Sequence, residues 1–137
     1  MTTETAMRIP AAGRATIPIL DARGVERLSE QVLRQARALL ARIESVPLDA
    51  VSTEAVLDVW DDASVAMEDA FGPISLLNSV HPDKSVRDAC DVALVRESSF
   101  LTDVYQNEAF YQRVQRLVPT TIAARELRKH LLESFED

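Results

Sequence analysis

Residues 52–83 read STEAVLDVWDDASVAMEDAFGPISLLNSVHPD. Wound at about 100° per residue, Val56, Val59, Trp60, Ala63, Ala66, Met67, Ala70, Phe71, Ile74 and Leu77 fall within an arc of about 140°. Glu54, Asp58, Asp61, Asp62, Glu68 and Asp69 fall on the opposite arc, with no base among them. That separation predicts a long amphipathic helix with one face buried and one face in water. Ser52 is a good N-cap, and Glu54 suits the positive end of the helix dipole. Gly72-Pro73 interrupts the pattern. Apolar periodicity resumes at once, so the expectation is a kink at Pro73 rather than an end. Beyond it Leu76 and Val80 point where the acids pointed, which predicts a second half enclosed by other elements.

Working outward, the N-terminal side supplies a second long helix. Val25, Leu28, Val32, Ala36, Leu39, Leu40 and Ile43 keep a 3.6-residue period from near Asp21 or Gly24 to near Ser45, and Pro47 marks the stop. Arg27, Glu30, Arg34, Arg37 and Arg42 are interleaved on its wet side, where ion pairs with the acidic helix are expected. Residues 1–20 contain Pro10, Gly13 and Pro18, which block helix. They read as a flexible or extended arm ahead of a helical bundle spanning 21–137.

On the C-terminal side, His81-Pro82-Asp83 is a turn, with Asp83 or Ser85 as the next cap. A helix from about Ser85 to Tyr105 follows, with Val86, Cys90, Ala93, Leu94, Leu101 and Val104 as its stripe. Glu97 lies within that stripe, and Asn78 of the preceding helix is a conceivable partner for it. A helix restarts at Asn107-Glu108, carries Phe110, Tyr111, Val114 and Leu117, and closes at Pro119. A last one is capped by Thr120 or Thr121 and turns Ala124, Leu127, Leu131 and Phe135 inward. It ends on Glu136 and Asp137, the wrong sign for a helix C-terminus, which suggests a piece of a longer protein. No strand pattern of period two survives. The fold class expected is all-α, an antiparallel bundle of four to five helices with an irregular arm.

Charge is unevenly spread over the 137 residues. Residues 1–51 hold seven bases and six acids; residues 52–137 hold eight and sixteen. An acidic surface argues against nucleic acid or an anionic membrane as the main partner. No apolar run is long enough to span a bilayer. With no signal peptide visible either, a cytoplasmic location is the expectation. The single Cys90 excludes an internal disulfide and any multi-cysteine metal site; on an apolar face it reads as a small buried hydrophobe.

Catalytic patterns are absent. A zinc protease needs His-Glu-x-x-His, which sets two imidazoles on one helical face beside a carboxylate; the two histidines, His81 and His130, stand in different segments. Di-iron Glu-x-x-His pairs and glycine-rich phosphate loops are missing as well. His81 reads as a turn residue and His130 as a surface one. Trp60, Phe71, Phe100, Phe110 and Tyr111 read as core or interhelical contacts. No catalytic, cofactor-binding or metal residue is assigned. A bundle-core site around Glu97, Asn78 and His81 is a minor alternative. Another is a stand-alone interaction module using Leu57, Val65 or Leu76.

Three strings taken together carry a family resemblance: WDDASVAMEDAFGPISLLNSVHPD, then VRDACDVAL, then YQNEAFYQRV. Their residues Phe71, Pro73, Ser75, Leu76 to Val80, Val86 to Ala89, and Asn107 to Tyr111 match in order and spacing. Over roughly residues 45–135 the chain resembles the N-terminal helical region of the thimet oligopeptidase family. These are zinc oligopeptidases that include neurolysin, oligopeptidase A and peptidyl-dipeptidase. The resemblance rests on structural residues. The family's His-Glu-x-x-His helix and its downstream Glu ligand have no counterpart here, so no site residue carries over. It implies a cytoplasmic metallopeptidase, a hydrolase of short peptides, as parent, with zinc held elsewhere in that parent. This piece would be a non-catalytic wall of the substrate channel, partnered by the rest of the parent chain and by peptides. It also implies that Leu76 or Val80, buried in the parent, would stand exposed here.

Overall fold

The computed structural model describes residues 7–8, 16–17 and 20–136. Five α-helices succeed one another: α1 (Ala22–Glu44), α2 (Val59–Val80), α3 (Lys84–Tyr105), α4 (Glu108–Arg116) and α5 (Ile122–Glu136). A 3₁₀ turn (Leu48–Ala50) and a π-helical turn (Glu54–Asp58) join α1 to α2. The chain is an all-α bundle. Ahead of it, β1 (Met7–Arg8) pairs antiparallel with β2 (Thr16–Ile17), Met7 opposite Ile17. The sequence pattern does not anticipate this ladder, because two residues are too few to show a period. The remainder of the expected arm lies outside the described residues.

α1, α3, α4, α5 and the π turn that leads into α2 each begin where a side chain takes up a free N–H group of the first turn. The Asp21 carboxylate accepts from the Gly24 N–H at 2.7 Å, and Asp83 Oδ1 accepts from the Ser85 N–H at 2.9 Å. Ser52 Oγ accepts from Ala55, Asn107 Oδ1 from Phe110 and Thr121 Oγ1 from Ala124. Gly24 is buried: a Cβ there would sit 3.0 Å from Asp21 Oδ1 and 3.3 Å from a Leu20 methyl. A side chain at that position would crowd the α1 cap.

α2 runs unbroken through Gly72-Pro73. Proline has no N–H to give the Asp69 carbonyl, and its ring crowds the Cβ of the residue before it. Glycine at 72 removes that Cβ, so helical backbone survives there. At the other end, the π turn inserts an extra residue into the ladder and rotates the residues after it. Val56 and Leu57 both turn inward, and so do Val59 and Trp60. Leu57 is thus 1% exposed, which corrects its reading as a free docking residue. A uniform 100° wheel cannot anticipate that insertion.

α1, α2 and α3 each pack on the other two; α4 lies against α1, and α5 against α4 and the π turn. The core joins Val25, Ala36 and Ile43 of α1, Ala63, Met67 and Ile74 of α2, and Cys90, Phe100 and Val104 of α3 to Phe110, Val114 and Leu131. Each large apolar side chain so enclosed contributes roughly 1.5–3 kcal/mol. Rings bind α4 to α2 and α5 to α4. Trp60 and Phe110 are 5.2 Å apart, and Phe135 meets Phe110 edge-on at 5.2 Å. Arginines brace the connections. Arg113 Nε donates to the Val46 carbonyl at 2.8 Å, and Arg128 donates to the carbonyls of Val114 and Gln115 at the end of α4.

The α1 charges pair differently from the expectation. Arg37 reaches Asp103 at 4.0 Å and stacks over the Phe100 ring at 4.8 Å, while Glu30 meets Arg96 at 3.7 Å. Both pairs join α1 to α3. No described salt bridge reaches the α2 acids. Those carboxylates sit on the exposed face of α2.

Candidate functional site

The most organised polar constellation is the corner where α2 turns into α3. His81 caps α2 with extended backbone, and its N–H still bonds the Leu77 carbonyl. His81 Nδ1 then accepts from the Asp83 N–H at 3.0 Å. Arg87, one turn into α3, folds back and donates to the carbonyls of His81 at 2.7 Å and Pro82 at 3.0 Å. Asn78 spans the two helices: its Nδ2 donates to Asp91 Oδ1 at 2.8 Å and to the Arg87 carbonyl at 3.2 Å. Bonds from the Ser85 N–H and hydroxyl hold the Asp83 carboxyl below its ordinary range. These hydrogen bonds brace the turn and the two helices it joins.

The suggested grouping of Glu97, Asn78 and His81 does not form. Asn78 is engaged by Asp91 and Arg87 rather than by Glu97. Glu97 lies six residues beyond Asp91, about 9 Å further along the helix axis. It is half-buried, and that burial pushes its carboxyl up. Cys90 is fully enclosed; desolvation first, then the neighbouring Asp91, pushes its thiol up, the opposite of an activated nucleophile. His130 is exposed on α5. Among the described residues no three His, Cys, Asp or Glu side chains gather to hold a metal ion. His81 and His130 stand on separate elements.

A shallow cavity of about 330 Å³ opens between α1 and α3, lined by Arg23, Glu26, Ser29, Val92, Ala93 and Arg96 among others. Its one buried hydroxyl, on Ser29, donates to the Glu26 carbonyl of its own helix at 3.0 Å. Arg96 is turned to Glu30. The groove therefore offers neither a free nucleophile nor a paired acid and base.

The outer side of α2 is distinctive in another way. From Ala70 to Val80 it carries no charge, and Leu76 and Val80 are 47% and 65% exposed. This corrects the expectation that other elements enclose the second half of the helix on all sides. Val65 is half exposed as well, on the same outer side. Val92 and Val95 of α3 and Val118 and Ile122 around the start of α5 are further open apolar residues that the sequence reading did not single out. On α3 the signal was available, since Val95 lies opposite the buried stripe at helical spacing. Val118 and Ile122 flank a turn, where periodicity has no hold.

Compared with known proteins, the chain matches no family model and no curated protein.

Proposed function

We propose that this chain is the N-terminal helical region of a zinc oligopeptidase of the thimet oligopeptidase type, serving as a non-catalytic wall of a channel for short peptides. The observation that supports this reading is the α2–α3 corner. The string from Phe71 to Ala89, which carries the resemblance, folds as one braced unit, and the outer side of its α2 part, residues 71–80, is uncharged and open at Leu76 and Val80. In this reading the open apolar side chains of Leu76 and Val80 face further protein of the parent chain.

In this reading the contribution is steric. Packed helices narrow the entrance so that extended peptides pass and folded proteins do not, and they help keep water from the reacting bond. In this reading zinc and the catalytic groups belong to the rest of the parent, a cytoplasmic enzyme. Two measurements test it. The coding sequence after Asp137 is expected to continue in frame to a His-Glu-x-x-His motif; a stop codon directly after Asp137 overturns the proposal. The purified 137-residue chain, supplied with zinc, is expected to leave quenched-fluorescent short peptides uncut. Cleavage abolished by a chelator would overturn the non-catalytic role.

A second reading, a helical protein-interaction module without catalysis, is favoured by the closed core that all five helices share. Its docking residues would be Val65 and Leu76, with Leu57 removed from the set. The reading frame separates the two.

A further inference from the structure

We draw no further inference here: the strongest candidate, the uncharged outer face of the second half of α2 with Leu76 and Val80 exposed, already supports the reading above, and nothing in the structure shows what covers it.

Discussion

The two halves of α2 bury the same kind of inner face and present opposite outer ones. Inward, Trp60, Ala63 and Met67 before the proline continue into Ile74 and Leu77 after it, all of them buried. Outward, the first half shows Asp61, Asp62, Glu68 and Asp69, and the second shows Ser75, Leu76, Ser79 and Val80. Packing constrains only the inner side of a helix, so the inner residues report the fold. The outer side is free to vary with what lies beyond it. Carboxylates without a base among them suit water; Leu76 and Val80 do not require it.

That contrast can be broken first where it claims sameness. Trp60→Ala and Ile74→Ala should each destabilise strongly, by roughly 3–5 and 2–5 kcal/mol, read as shifts in the urea midpoint. Tolerance of either one would mean that one half of α2 is not held by the common core. Next comes the brace between the helices. Asn78→Ala removes donors to Asp91 and the Arg87 carbonyl and should cost about 1–3 kcal/mol by the same measurement. The outer difference should hardly register as stability. Leu76→Ser and Val80→Ser are expected to stay within about 0.5 kcal/mol of the parent chain. They should also reduce any concentration-dependent association seen by sedimentation. A large loss of stability would mean that those side chains are part of the core after all.

The smallest effect concerns Glu97, a carboxylate on the inner stripe of α3. Burial raises its folded pKa above the unfolded value. Folding therefore favours the protonated form, and that advantage is fully present below the unfolded pKa, near about 4.3. It is lost as pH rises through the folded pKa, so at neutral pH the charged group is a small burden. Glu97→Gln should raise the melting temperature slightly at pH 7, and the gain should shrink toward pH 4. A gain that is independent of pH would point to packing rather than charge.

Much of this arrangement was legible in the chain. The 3.6-residue stripes placed the helices of α1, α2 and α3, and Ser52, Asp83 and Asn107 stood at caps that the structure uses. Ten residues on one arc around α2 all turned inward, although Ala66 is only half-buried. What escaped was whatever depends on three dimensions. A π turn re-registered Leu57, and no composition rule marks such an insertion. The partners of Arg37 and Asn78 depended on which helix came to lie beside which. The corner at His81 could be read as a turn, but not the two carbonyls that Arg87 would hold. Chemistry was less legible still, because recognisable catalytic signals are constellations of residues distant in sequence.

Phe135 lies against Tyr105, Phe110 and Tyr111 at 5.8, 5.2 and 5.3 Å, yet Leu131 is the one buried residue of its helix. α5 is thus fastened near one end by rings and elsewhere by the Arg128 clamp on α4. Cooperative units with few enclosed contacts open at the lowest free energy. Such an opening would leave the mutual packing of α1, α2 and α3 standing. It would also bare the Phe110 ring, which rests on Trp60, and so uncover the edge of the core without unfolding it.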